Sequence, residues 1–196
     1  MRMTDTDKNR IIDLNHALTL KAHEDMRNVK RQHKMLVDNS VANRDAILRL
    51  YHADLILLAA HSQNDITNAI ATILPDILDV AAARLISTPE SAFANASHIH
   101  VTPMDAFHEL TCMNGIFLGA ANPAQQAICA AANITKPDSI ACVRLPDDLP
   151  GTSGAALLML IGKNKDSFTA SHGTELLEQL VMKIAVALAA RPASDT

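Results

Sequence analysis

Residues 139–161 read SIACVRLPDDLPGTSGAALLMLI, two apolar runs held apart by a turn-rich stretch with Pro146, Pro150 and Gly151. Ser139–Leu145 and Gly154–Ile161 are too short for core helices, are bounded by Pro and Gly, and are rich in aliphatic residues, so both are predicted strands. In the first, period-two alternation places Arg144 with Ile140 and Cys142 on one face, with apolar residues on the other. A third stretch, Asp79–Ser87, follows the same pattern: Arg84 is the only charge among Val80–Ile86 and shares its face with Val80, Ala82 and Ile86. Three strands with one apolar face each call for helices to cover them.

Those helices lie to either side. Gly173-Thr174-Glu175 leads into an amphipathic helix reaching about Ala190, with Leu176, Leu177, Leu180, Ile184, Ala187 and Leu188 on its apolar side. Upstream, the first Pro is Pro75 and the first Gly is Gly115, so the opening 74 residues read as helix. Ala22, Val29, Leu36, Asn43, Leu50 and Leu57 recur there every seven residues, close to a coiled-coil seam with one register-setting Asn. A break is expected at Asp38-Asn39-Ser40, whose short polar side chains compete with the helical backbone. Shorter elements fill the middle: a helix from Asp65 to Leu74, strands at His98–Thr102 and Ile116–Leu118, a helix from Pro103 to Cys112, and one capped by Asn122 with Pro123 at its first position. The expected architecture is α+β: an antiparallel sheet flanked by helices over residues 63–196, preceded by a helical dimerisation segment over 1–62.

Composition narrows the partners. Four Phe and one Tyr leave almost nothing from which to build base-stacking platforms, and the net charge is −4, so nucleic acid is not an expected partner. The basic run Arg27–Lys34 could grip phosphate, but acids at Glu24, Asp25 and Asp38 surround it and a solvated helix face is the simpler reading. The longest apolar runs, Ala155–Ile161 and Ile184–Ala190, are far short of the roughly 20 residues that cross a bilayer. Three cysteines without a C-x-x-C spacing fit a reducing compartment, and the polar opening residues lack a secretory apolar core, so the cytoplasm is the expected location.

Three stretches together carry a resemblance. Ile12-Asp13-Leu14, then Leu36-Val37-Asp38-Asn39-Ser40-Val41-Ala42-Asn43, then Leu50–Ala60 resemble the linker helices of a bacterial family catalogued as domain of unknown function 484, and Gly154–Gly162 followed by Asp166-Ser167-Phe168 and His172–Leu177 resemble its final strand, turn and helix entry. That family is GAF-like, GAF being the small-molecule-sensing fold of signalling proteins. The resemblance spans roughly residues 12–190 and implies ligand sensing by analogy of fold.

Candidate chemistry is sparse. His98 and His100 would share a strand face, with His108 and Cys112 one turn apart on the following helix, a permissive transition-metal set without a stricter metal signature. Cys112 with His108 as base is the one nucleophile pair, set against the usual role of free Cys as a small buried hydrophobe. There is no G-x-S-x-G elbow, and Gly162-Lys163-Asn164-Lys165 lacks the glycines and hydroxyl of a phosphate loop, so the chain reads as non-enzymatic and cofactor-free. The sharper expectation is a pocket: the faces bearing Arg84 and Arg144, with Cys142 in the floor and Phe107 and Phe117 as walls, would suit a small anion through bidentate hydrogen bonds. Structural use of each Arg at a strand end is the competing expectation. The function read from sequence is a small-molecule-binding regulatory module, a parallel homodimer through its N-terminal helices. Its rival is an interaction adaptor of the same fold with a filled pocket.

Overall fold

The computed structural model describes residues 5–110, 115–131, 134, 137–146, 154–169 and 173–191, with backbone alone for 5–15, 17 and 131. The chain divides into two compact units, residues 1–45 and 46–196. Helix α1 (Asp5–Ala59) makes up the described part of the first unit and contributes its last turns to the second. It runs unbroken through Asp38-Asn39-Ser40. Ser40 Oγ donates to the Leu36 carbonyl at 2.8 Å, one turn back along the same helix, so the hydroxyl is satisfied without competing for the chain's direction.

In the second unit, Ser62 caps α2 (Gln63–Thr72) with a reciprocal capping box. Ser62 Oγ accepts from the Asp65 N–H at 3.1 Å, and the Asp65 carboxylate accepts from the His61 and Ser62 N–H groups at 3.0 Å each. These bonds, that from His61 first, hold the Asp65 carboxyl below its ordinary value of 3.8. A depressed folded value means stability that is present above 3.8 and lost as pH falls through the folded value. Asp65→Asn should therefore melt below the wild type at neutral pH, and the gap should close in melts below pH 3.8; a gap independent of pH would contradict this.

A short helix α3 (Leu74–Leu78) follows, with Pro75 in its first turn, and ends at Asp79 in the left-handed conformation, φ 58°. That reversal delays the first strand to Ala82, three residues beyond the predicted start. The remaining elements are β1 (Ala82–Ser87), β2 (Ile99–Val101), α4 (Met104–His108), β3 (Ile116–Gly119), α5 (Pro123–Ala131), β4 (Ile140–Arg144), β5 (Ala156–Ile161) and α6 (Glu175–Ala189). The strands form one sheet in the order β2-β1-β5-β4-β3. Strand β5 is central and buried at all six positions, which is why Ala156–Ile161 reads as a continuous apolar run rather than an alternation.

The sheet is mixed rather than antiparallel throughout: β2 pairs parallel to β1, with Leu85 opposite Ile99. A parallel partner needs the chain carried back to where β1 began. Residues 88–98 do this through successive turns, Ser91 donating to the Thr88 carbonyl, Ala94 to Ser91 and Ala96 to Phe93, with the Phe93 ring buried.

Two layers cover the sheet. Ala83, Leu85, Ala141, Val143, Leu158 and Leu160 pack with residues of α2, α6 and the last turns of α1, including Leu50, Leu57, Ile66 and Ile184. On the opposite face Ile86, Ile140, Cys142, Leu157, Met159 and Ile161 pack with Phe107, Leu110, Ile128 and Cys129. The apolar faces opposite Arg84 and Arg144 thus meet the first and last helices. Among the described residues no helix is long and apolar enough to cross a membrane.

Candidate functional site

The sheet pairing brings Arg84 and Arg144 to one face without bringing them together. Arg84 stands opposite Met159, which stands opposite Cys142, which stands opposite Phe117; Arg144 stands opposite Leu157, one row along. Two strand spacings and two residues of offset separate their Cα atoms by roughly 12 Å. Met159 and Leu157 between them are fully buried.

Arg84 is half-buried and committed to backbone. Its Nη1 donates to the Ala83 carbonyl at 2.8 Å and to the Ala71 carbonyl at 3.4 Å. The second contact has a specific cause: the Ala71 carbonyl in the last turn of α2 would take its helical hydrogen bond from residue 75, and Pro75 has no N–H. The guanidinium supplies the missing donor. Arg144 is exposed at the end of β4, and its backbone N–H donates to the Gly115 carbonyl at 2.8 Å.

Between these two residues the described side chains pack into one buried layer. Phe107 is 1% exposed and lies in the layer with Leu110, Ile128 and Met159, while Phe117 packs half-buried against it. Cys142 is wholly buried, and Gln125 Nε2 donates to its sulfur at 3.7 Å and to the Leu110 carbonyl at 2.8 Å. Gln125, itself wholly buried, is the residue the sequence reading passed over. Its signal was the spacing Asn122-x-x-Gln125: Asn122 Oδ1 accepts from the Gln125 N–H and Gln125 Oε1 from the Asn122 N–H, both at 2.8 Å. This reciprocal cap turns the Gln125 amide into the core. Burial pushes the Cys129 thiol up, away from the thiolate that chemistry would need.

The histidines do not converge. Strand β2 begins only at Ile99, and His98 precedes it in the left-handed conformation, φ 60°, so strand alternation does not align it with His100. His108 is exposed on α4. No group of three or more metal-ligating side chains occurs among the described residues, and Cys112 lies outside them. Arg27–Lys34 is exposed along α1.

Among the described residues, two open grooves lie on the helical layer. One groove of about 350 Å³ is lined by Leu57, Leu58, Met182, Val186 and Ala187, with the Asp54–Lys183 ion pair, 2.6 Å, at its side. A second, of about 280 Å³, is lined by Leu50, Leu78, Leu118, Phe168 and Leu177, with Arg49 at its edge. Arg49 donates to the Leu78 carbonyl at 3.1 Å and stands 3.8 Å from Asp79, whose carboxyl is held below the usual carboxylate range chiefly by its hydrogen bond to Lys163.

The fold and its packed faces define an α+β chain. Residues 3–191 match the family model described as a protein of unknown function, DUF484, and the chain belongs to that family. No curated protein matches it.

Proposed function

We propose that the protein is a non-enzymatic, cytoplasmic regulatory adaptor of GAF-like type that acts as a homodimer joined through its N-terminal helices. The observation that carries this reading is that both faces of the sheet are packed by the chain's own side chains, Phe107, Met159 and Cys142 on one and Leu158 and Ile184 on the other. What the chain offers to partners is therefore helix surface. Along α1, His16 and residues 18–45 are all exposed, including Val29 at 62% and Leu36 at 67%. A solitary helix in water draws little stability from propensity alone, and leaving those side chains in water is unfavourable, so a second helix against this segment favours a parallel dimer. Val29→Glu combined with Leu36→Glu in the full chain should weaken self-association at least tenfold in sedimentation velocity. A double variant that associates like the wild type would sink the reading.

The second reading is small-molecule sensing, and the groove with Arg49 at its edge favours it, because an apolar cleft beside a guanidinium suits an amphipathic anion. Native mass spectrometry against a metabolite extract separates the two: a retained anionic ligand favours sensing, and a bare chain favours the adaptor.

A further inference from the structure

The last turns of α1 present two seams. One, Leu50, Ala53 and Leu57, is buried in the domain core. The other, Leu48, Tyr51, Leu55 and Leu58, is spaced three, four and three residues apart and lies exposed, each residue between 46% and 72%. That spacing is the alternation of a helix–helix seam. Beside it on α6, Met182 and Val186 stand one turn apart and also exposed, and they share with Leu58 the groove of about 350 Å³.

We propose that this α1–α6 face is the contact between the globular domains of two copies, related by a two-fold axis, with the groove receiving large apolar side chains of the partner's α1. The proposal deepens the dimer reading above and rests on it. Three observations select a second copy as the occupant. The six side chains expose on the order of 600 Å² per copy, so two copies bury about 1,200 Å², the lower bound for a specific interface. The spacing of Leu48, Tyr51, Leu55 and Leu58 is matched by the same spacing on an identical helix, which packs like residues in register. The groove also carries little charge of one sign, since Asp54, Lys183 and Arg191 together leave one positive charge per copy. A two-fold contact sets each charge near its own copy and would repel itself if one sign dominated. Here Asp54 is neutralised by Lys183 at 2.6 Å, and Arg191 is turned onto the carbonyls of Ala60 and Leu58. The seam also holds the chain's single Tyr, a residue type enriched at interface hot spots.

That Tyr supplies the test, because the chain has no Trp and Tyr51 is its only Tyr. Iodide quenching of Tyr51 fluorescence in the full-length protein should fall at least twofold as concentration rises through the dimer dissociation constant found by sedimentation. Met182→Glu with Val186→Glu, two exposed positions on α6, should weaken the dimer at least tenfold with an unchanged far-UV spectrum. If the pair fails to fold, the quenching result alone decides. A wild-type dimer in which Tyr51 stays as accessible as in the monomer places the contact elsewhere and overturns this proposal, while leaving dimerisation through residues 18–45 standing. A wild type that remains monomeric at 100 µM, on the order of the weakest self-association relevant here, overturns both.

Discussion

Gly154→Ala should cost the domain about 3 kcal/mol, lowering the melting temperature by roughly 6–12 °C for a domain of this size. Gly154 has φ +81°, where an L side chain is strained by about 1–2 kcal/mol. A Cβ there would also lie 2.6 Å from the Ser91 nitrogen and 2.7 Å from the Glu90 carbonyl carbon, both backbone atoms, so no side chain can swing aside to relieve it. The position matters because the next residue ties β5 to the turns that carry the chain from β1 to its parallel partner: Thr88 N–H donates to the Ala155 carbonyl at 2.9 Å, and Ala155 N–H to Thr88 Oγ1 at 3.3 Å. A methyl group at residue 154 pushes those turns off the end of the sheet. Gly173→Ala is the control, since its Cβ would meet nothing within 4 Å and its effect should stay within about 0.5 kcal/mol. Urea denaturation of both variants gives the comparison, and equal stability for Gly154→Ala and Gly173→Ala would refute the account.

The same turns show why the parallel pair was not legible. His98–Thr102 is visible as a short strand, but a strand pattern gives the face of each residue and not the direction from which the strand is approached. That direction depends on the stacked turns of residues 88–98 and the burial of Phe93. The central strand was legible for the opposite reason: β5 is buried on both faces, so its composition alone marks it. The heptad row of α1 is intermediate. Its seven-residue spacing links Val29, Leu36, Leu50 and Leu57 in sequence, yet such a spacing says nothing of what covers each residue. Leu50 and Leu57 are covered by the domain core, whereas Val29 and Leu36 are exposed, and the exposed seam at Leu48, Tyr51, Leu55 and Leu58 lies on a different row.

The candidate site shows the same boundary between local and tertiary information. Alternation placed Arg84 and Arg144 on one face of the sheet, as β1 and β4 bear out. The use of the Arg84 guanidinium could not be read locally, because its acceptor is a carbonyl left open by Pro75 in a different helix. A lone charge on an apolar strand has two explanations, an unfilled ligand site or an unfilled backbone acceptor, and the two look alike in sequence. Gln125, by contrast, was available from the Asn122-x-x-Gln125 spacing alone.

Phe107→Ala carries the largest expected effect, about 3–5 kcal/mol. Phe107 is 1% exposed and lies in one buried layer with Leu110, Ile128, Cys129 and Met159, residues drawn from three different segments. Removing the ring strips its contacts and leaves a void that these neighbours can close only in part, because Gln125 is pinned by its bond to the Leu110 carbonyl and Met159 by the sheet. The substitution also separates the two functions weighed for this face. In an adaptor, Phe107 is core, the loss is in the full range, and the cavity it leaves is apolar and dry, able to take up a small hydrophobic molecule with partial recovery of stability. In a sensor with its pocket on this face, Phe107 would be a pocket wall that yields to ligand, and its truncation would cost less than about 1 kcal/mol, as at sites away from packed features. Denaturant titrations of the full chain with and without saturating benzene measure both quantities. A loss below about 1 kcal/mol would return the ligand site to the Arg84–Arg144 face, and a loss in the expected range with benzene rescue fixes that face as core.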